Sequence, residues 1–119
     1  MNVTMTMTKT MAVALVLTGS LAAPVAAGQD AALVTKGEGV YAAQKCQVCH
    51  AIAGKGNKTN PLDRVGAKLS AADIRRWITH PDEMTAKAQS TKKPPMPAKY
   101  SGLPAADLDA LVAYLQSLK

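Results

Sequence analysis

The chain contains no phenylalanine, and it has only one tryptophan and three tyrosines among its 119 residues. Aromatic side chains usually supply much of the area buried in a small protein core, so something else must fill the interior here. The length suits one small domain, and a domain of this size is only marginally stable when it relies on its own core. We therefore expect a disulfide, a metal or a large cofactor to support the fold.

Cysteine is scarce as well, since Cys46 and Cys49 are the only two in the chain. A single disulfide that closes so short a loop would constrain the unfolded chain very little, which argues against a disulfide framework. A structural zinc site needs four ligands, and the sequence has no second Cys/His pair to complete one.

Long hydrophobic runs are missing too. The apolar stretch Met11–Leu17 falls well short of the roughly 20 residues needed to span a bilayer. It follows a polar start that carries Lys9, and it precedes small residues that end at Ala27, an order typical of a secretory signal peptide. We predict that residues 1–27 form a cleaved leader and that residues 28–119 form the mature domain; a retained N-terminal anchor is the alternative.

Acidic residues are fewer than basic ones, with 8 against 14 and a formal net charge of +6. Such a balance is compatible with nucleic-acid, membrane or acidic protein partners. The lysines are dispersed along the chain, and Lys92 and Lys93 form the densest pair. Because dispersed charge and export both argue against nucleic acid, we expect partner proteins with acidic surfaces.

Helical periodicity indicates three main segments. The first covers about residues 33–45, where residues 35–38 fit a capping box, and a start one turn earlier is the alternative. The second starts after Ser70, a favoured N-cap residue, and ends before Pro81. The third begins at Pro104, since proline is tolerated in the first helical turn. Residues 82–102 show no clean period, so the fold class is predicted to be mostly α, with three main helices joined by long loops. The third segment carries an apolar stripe at helical spacing, made of Leu108, Leu111, Val112, Leu115 and Leu118.

The segment Cys46-Gln47-Val48-Cys49-His50 has the spacing C-x-x-C-H, which is the attachment signature of c-type haem. In that chemistry two thiols add to the two vinyl groups of one porphyrin, and the adjacent histidine binds the iron. A redox-active dithiol would leave His50 without a role, and a zinc site would lack its other half; a chance match is the remaining alternative. We predict one covalently bound haem c, held by Cys46 and Cys49, with His50 as an axial iron ligand.

Met96 is predicted to be the second axial ligand. A thioether sulfur is a soft, uncharged ligand that raises the reduction potential of haem iron. Met96 lies between Pro95 and Pro97, whose fixed φ angles stiffen the loop and would hold the ligand in place in both oxidation states. His80, Met84 and an open sixth position are the alternatives.

In their order along the chain, these residues resemble the class I cytochrome c family, in particular its small bacterial monohaem members. The resemblance covers about residues 33–118 and rests mainly on the C-x-x-C-H motif. It implies a cytochrome c fold, in which three main helices and long loops wrap around one covalently attached haem. The other matching elements are Gly37 and Tyr41, Asn60-Pro61-Leu62, Trp77-Ile78 before Pro81, Met96-Pro97, and the segment Leu111–Leu115.

The resemblance also implies how the first and last helices meet. They are expected to cross, with Gly37 and Tyr41 packed near Tyr114 and Leu115. Tyr41 stands where the family usually has phenylalanine, so its hydroxyl needs a hydrogen-bond partner if the ring is buried.

Three further contacts around the haem are implied by the same resemblance. The Pro61 carbonyl would accept a hydrogen bond from the Nδ1–H of His50, which orients the imidazole ring. Leu62 would pack on the porphyrin. Trp77 would donate its indole N–H to a haem propionate, with a plain core role as the alternative.

Together these features predict an exported one-electron carrier, not an enzyme, whose iron cycles between Fe(II) and Fe(III). Two protein ligands leave no iron position open to substrate, whereas peroxidase-like turnover or gas sensing would need one. A haem-bearing subunit of a larger periplasmic oxidoreductase, for example in sulfur-compound oxidation, is the alternative function. We expect a monomer, in the periplasm or otherwise exported. The lysines expected around the exposed haem edge are Lys45, Lys87, Lys92, Lys93 and Lys99.

Overall fold

The computed structural model describes residues 26–119. Five α-helices and one short antiparallel hairpin make up the regular structure in that range. No helix there is both long and apolar enough to pass through a membrane. The predicted leader lies outside the described residues, except that Ala26 and Ala27 belong to the first helix. In chain order the elements are α1 (Ala26–Ala43), β1 (Ala51–Ile52), β2 (Lys55–Gly56), α2 (Val65–Lys68), α3 (Ala71–Thr79), α4 (Pro81–Lys87) and α5 (Ala105–Ser117), with 3-10 turns at Cys46–Val48 and Ala98–Gly102.

Helices α1 and α5 cross in close contact at Gly37. A Cβ atom on Gly37 would lie 2.0 Å from the carbonyl oxygen of Ala110 and 2.6 Å from the Cβ of Tyr114, so no larger residue fits. Beside the crossing, the rings of Tyr41 and Tyr114 meet edge to face with their centroids 5.8 Å apart, a favourable aromatic geometry. The crossing expected for the first and last helices is therefore confirmed.

The core lies between α1, α3 and α5. Helix α3 contributes Ile74 and Ile78, both almost fully buried, and α5 contributes the predicted apolar stripe, with Leu118 partly buried just beyond the helix end. An ion pair between Arg75 and Asp109 joins the exposed sides of α3 and α5. The buried cluster consists of Tyr41, Ile74, Ile78, Leu108, Leu111, Val112 and Leu115.

The start of α3 follows the sequence prediction. The Ser70 hydroxyl accepts a hydrogen bond from the Asp73 N–H at 3.1 Å and donates one to the Asp73 carboxylate at 2.8 Å. This N-cap satisfies a backbone donor that the helix itself cannot pair. The helix ends at Thr79, before Pro81, as predicted.

Two helical boundaries differ from the predictions. Helix α1 is already helical at Ala26, the first described residue, and so covers residues ahead of the start predicted near residue 33. The alanines in that stretch favour helix strongly. The Thr35 hydroxyl bonds to the Ala31 carbonyl inside the helix at 3.0 Å and does not cap its start. The segment after α3 is not irregular throughout, since Pro81 opens α4 instead of ending helical structure. The mostly-α class is confirmed, with α2 and α4 added to the three main helices.

The C-terminus holds the loop that follows the hairpin. The Gly66 N–H donates to the Leu118 carbonyl at 2.8 Å, and the Gln116 amide and the Lys119 ammonium both donate to the Gly66 carbonyl, at 2.7 Å and 2.8 Å. These bonds fix α2 against the end of α5. They therefore also anchor one end of the loop that carries Asn60, Pro61 and Leu62.

Candidate haem-attachment site

The C-x-x-C-H motif begins where α1 ends. Lys45 has a left-handed backbone conformation, with φ of 56°, which turns the chain out of α1 into the 3-10 turn Cys46–Val48. Within this turn the N–H groups of Cys49 and His50 both donate to the Cys46 carbonyl, at 3.1 Å and 2.9 Å. One tight turn therefore positions all three residues of the motif that carry chemistry.

Both cysteines are free thiols in this structure, with Cys46 half-buried and Cys49 exposed. Burial raises the pKa of the Cys46 thiol; a backbone hydrogen bond lowers it, the neighbouring Cys49 raises it and the Lys99 charge lowers it. The balance keeps this thiol protonated near neutral pH. Within residues 26–119, no three histidine, cysteine or acidic side chains are grouped so as to bind one metal ion.

His50 is oriented by a backbone carbonyl. Its Nδ1 atom lies 3.1 Å from the carbonyl oxygen of Asn60. A carbonyl oxygen can only accept, so the Nδ1 atom must carry the proton and the Nε2 lone pair is left available to a metal. Burial lowers the pKa of His50; the hydrogen bond to Asn60 raises it and the Lys92 charge lowers it. The net direction favours the neutral imidazole, which is the form that ligates iron.

The carbonyl that accepts from His50 belongs to Asn60 and not to Pro61, so the expected acceptor is corrected by one residue. A parallel bridge pairs Ala51 with Pro61. It directs the Asn60 carbonyl at the Ala51 N–H, 3.3 Å away, and at the adjacent His50 ring. The Leu62 N–H returns to the Ala51 carbonyl at 2.8 Å. Because the acceptor is a main-chain atom, no side-chain pattern in the sequence could have identified it.

The end of the hairpin β1–β2 packs against the backbone of the motif, a contact that the sequence did not predict. Gly56 has φ of 102°, and a Cβ atom on it would lie only 2.2 Å from the His50 carbonyl oxygen. The next residue, Asn57, donates its N–H to the carbonyls of Gln47 and His50, at 3.0 Å and 3.1 Å. The available signal was the glycine itself, since only glycine tolerates this conformation so close to another backbone.

Tyr41 reaches the same region from α1. Its hydroxyl lies 3.5 Å from the His50 carbonyl oxygen, at the limit of hydrogen bonding, which supplies the partner that a buried tyrosine needs. Burial raises the pKa of Tyr41 to about 12, with smaller contributions from the neighbouring Cys46, Tyr114 and Asp63. The hydroxyl therefore stays neutral and can donate over the whole physiological range.

The three candidates for the second axial ligand lie in different surroundings. Met96 is half-buried and packs against the buried cluster, as do Cys46 and Leu62. Met84 is buried within α4 at 5% exposure. His80 is exposed, and its Nδ1 atom pairs with the Thr79 hydroxyl at 2.8 Å. Of the three, Met96 is thus the candidate that packs, like Cys46, against the buried cluster.

The remaining predicted residues are dispersed around this centre. Pro61 is exposed, and Leu62 is half-buried against the cluster. Trp77 is half-buried and borders a separate cleft of about 260 Å³. The cleft is lined by Leu69, Asp73, Trp77, Met84, Lys87 and Ala88.

The motif exposes one large apolar side chain, and the charge of a nearby lysine acts on Cys46. Val48 is 66% exposed, and Cys49 next to it is also exposed. Lys45 directly precedes the turn, and the Lys99 ammonium lies 5.1 Å from the centre of the Tyr100 ring. Of the other lysines predicted here, Lys87 borders the Trp77 cleft, Lys92 contacts the loop of Asn60, and Lys93 is exposed.

The donor set fits a covalently attached haem. Two unpaired thiols lie on one turn, an imidazole keeps its Nε2 atom available, and Cys46, Leu62 and Met96 each pack against the buried cluster. Neither the curated proteins nor the solved structures give a significant match to this chain. The Cytochrome c family model, in contrast, matches residues 34–119, which is nearly the whole of the described chain. Members of that family bind haem c covalently and take part in electron transfer. The chain therefore belongs to the cytochrome c family.

Proposed function

We propose that this protein is an exported one-electron carrier, and not an enzyme, with its haem attached through Cys46 and Cys49 and its iron ligated by His50 and Met96. Haem iron supplies the one-electron Fe(II)/Fe(III) couple. The observation that carries the proposal is the hydrogen bond from His50 Nδ1–H to the Asn60 carbonyl. It commits the imidazole to the tautomer that a proximal iron ligand requires, beside two free thiols.

Thioether formation with the vinyl groups of haem requires free thiols, which both cysteines have. Each thiol adds its sulfur and its hydrogen across one vinyl double bond, so the step needs neither an oxidant nor a reductant. A disulfide between the cysteines would block it, and both are free. The exposed Cys49 and the half-buried Cys46 would place one thioether at the surface and the other towards the core.

Met96 is favoured as the second ligand because it packs against the same cluster as Cys46. Its neighbours Pro95 and Pro97 restrict the backbone on both sides. A fixed loop limits the reorganisation that accompanies each change of oxidation state, which suits electron transfer. Leu62 is proposed to pack on the porphyrin, and Trp77 to donate its indole N–H to a haem carboxylate at the border of its cleft.

The proposal of export is supported by the N-terminal sequence, where residues 1–27 have the order of a secretory leader. We propose that the mature protein works in the periplasm or an equivalent compartment, as a monomer. Its docking face would be centred on Val48 and Cys49, with Lys45 and Lys99 at the margin. An apolar centre with a basic margin favours short-lived complexes with acidic partners, since charge mainly speeds association.

The test is a pyridine haemochrome spectrum of protein made in a host that attaches haem, before and after extraction with acid-acetone. Two thioether bonds give a c-type haemochrome that remains with the protein. C46S and C49S should each keep one thioether and shift the haemochrome band, whereas the double variant should lose its haem to the solvent. Haem that is extracted from the parent protein would refute covalent attachment.

The ferric spectrum then tests the axial ligands. A low-spin spectrum with a weak far-red band indicates methionine on iron and supports the carrier. A high-spin spectrum, together with rapid consumption of peroxide, would refute the carrier in favour of an enzyme. Elution of the native protein at its own mass would support a free carrier; elution only within a larger assembly would favour the subunit function.

A further inference from the structure

The loop that carries Met96 has few backbone donors of its own. Pro94, Pro95 and Pro97 have no N–H group, and residues 91–97 form no helix or strand. A segment of this kind must be held by side chains or by packing, because its backbone cannot form a regular hydrogen-bond ladder. The contacts made by its few polar side chains therefore decide how firmly Met96 is held.

One side chain connects this loop to a distant part of the chain. The Lys92 ammonium donates to the Thr59 carbonyl oxygen at 3.0 Å, across 33 residues of sequence. Within residues 26–119, no other hydrogen bond links the segment 91–97 to a residue outside its own turn. Lys92 is thus the polar attachment point of the Met96 loop.

The other end of this contact lies next to the group that orients His50. Thr59 immediately precedes Asn60, whose carbonyl accepts from His50 Nδ1–H. The Thr59 N–H is itself held by the Asn57 side chain at 3.0 Å. Hydrogen bonds therefore hold both the N–H and the carbonyl group of Thr59. Because Thr59 and Asn60 are joined by one peptide bond, a movement of Thr59 would also move the Asn60 carbonyl.

We propose that Lys92 is a positioning residue that ties the loop of Met96 to the loop whose Asn60 carbonyl orients His50, so that one side chain fixes the two ligand-bearing segments relative to each other. The proposal rests on the proposed function for the identity of the two ligands. Its geometric content, a tether between residues 92 and 59, does not depend on Met96 binding iron.

The tether has two expected effects. It restrains the Met96 loop, so its loss should let that loop open more often. It also holds a positive charge on the His50 side of the site, and a nearby cation disfavours the more positive Fe(III) state. Removal of Lys92 should therefore speed ligand exchange at the iron and lower the reduction potential.

The test compares K92M with K93M, in the haem-loaded protein. Lys93 is the adjacent residue, carries the same charge and forms no hydrogen bond in the described structure, so K93M removes the charge without removing the tether. K92R, which keeps both charge and donors, should restore the parent behaviour.

The first measurement is the rate at which added imidazole binds the ferric protein, which reports opening of the Met96 loop. We expect K92M to bind imidazole about fivefold faster than the parent, the factor that corresponds to one net hydrogen bond of ~1 kcal/mol, and K93M to resemble the parent.

The second measurement is amide hydrogen exchange at Ala51, whose N–H donates to the Asn60 carbonyl. Faster exchange in K92M but not in K93M supports the tether. Equal exchange in the two variants overturns it, whatever the iron ligands are. If the parent lacks the far-red methionine band, the ligand assignment fails separately, and the exchange at Ala51 still decides whether the tether exists.

Discussion

The histidine of the haem motif depends on a main-chain atom for its orientation. His50 Nδ1–H donates to the Asn60 carbonyl, which the bridge between Ala51 and Pro61 holds in place. The side chain at position 60 takes no part in that bond; its amide donates instead to the Cys49 carbonyl at 3.3 Å. The motif residues could be predicted from their types and spacing, whereas the acceptor depends on register, which no single residue encodes.

Replacement of Met96 by alanine tests the proposed second ligand. M96A should remove the far-red band, convert ferric iron to a high-spin state and lower the potential by an amount on the order of 0.1 V, well within the range of about 0.8 V that axial ligands span. The physical reason is the loss of a soft ligand that favours Fe(II). Absorption spectra and a redox titration provide the measurement.

M84L and H80A serve as matched controls for that variant, since they remove the other two candidate ligands. Both should retain the parent ferric spectrum. Because M84L changes a buried side chain, we expect it to lower the stability of the protein slightly. A parent-like spectrum in M96A, combined with a changed one in either control, would show that the ligand had been assigned to the wrong residue.

Gly37 allows a controlled test of the packing between α1 and α5, because Gly39 in the same helix faces open space and serves as the control. G37A places a methyl group 2.0 Å from the Ala110 carbonyl oxygen, so the helices must separate; we expect a loss of about 3 kcal/mol, the upper end of the cost of overpacking. G39A meets no atom within 4 Å and should stabilise the protein by about 0.5 kcal/mol, since alanine favours helix. Guanidinium denaturation of the haem-loaded proteins measures both. Equal midpoints for the two variants would contradict the close crossing.

Among the helices, the N-terminal cap of α3 and the apolar stripe of α5 could be predicted from the sequence, whereas the short helices could not. Ser70 and the stripe of α5 carry local signals, and both predictions are confirmed. Helix α4 is not predicted by the sequence pattern, because a proline that ends one helix can equally open the next in its first turn. Its signal was electrostatic, with Asp82 and Glu83 in the first turn and Lys87 in the last, the order that complements a helix dipole.

Helix α4 ends with a residue in the left-handed conformation, and this allows a test of its stability. The N–H of Ser90 donates to the Thr85 carbonyl and that of Gln89 to the Ala86 carbonyl, at 3.0 Å and 3.1 Å, which is the Schellman pattern. Gln89 occupies its left-handed position with φ of 50°, where glycine is normally found. Q89G should therefore raise the free energy of unfolding by about 0.5 to 1 kcal/mol.

Q89A is the control for this substitution. It removes the glutamine side chain but keeps a Cβ atom in the left-handed conformation, so its stability should stay within about 0.3 kcal/mol of the parent. Denaturation midpoints of the three proteins give the comparison. A gain of the same size in Q89A would attribute the effect to the lost side chain and not to the backbone of α4.

For the molecule as a whole, the small core could be related to the cofactor from the sequence, whereas the basic charge could not be assigned to one face. The buried cluster contains one aromatic side chain, Tyr41, and the cofactor of the cytochrome c family supplies the large apolar group that the composition lacks. The family and its cofactor could thus be predicted from the chain. The proposed docking face could not be predicted in this way, because dispersed lysines give no local signal before the fold brings the Lys99 charge near Cys46.

Small oxidants of opposite charge provide a test of that face without a known partner. Ferricyanide is an anion and a tris-phenanthroline cobalt(III) complex is a cation, so a basic transfer edge predicts opposite salt effects on their rates. With ferricyanide the rate should fall as salt rises, because screening weakens the attraction, and with the cobalt complex it should increase. Stopped-flow oxidation of the reduced protein measures both.

Substitutions then separate the local face from the net charge of +6. K99Q and K68Q each remove one positive charge, but Lys99 lies near Cys46 whereas Lys68 ends α2. We expect K99Q to slow oxidation by ferricyanide about threefold at low salt and K68Q to change it little, since a charge acts strongly only within about one Debye length of the site of transfer. Equal slowing by both variants would mean that overall charge, and not a face around Val48, governs encounter. An electron would then leave from an edge other than the one next to the C-x-x-C-H turn.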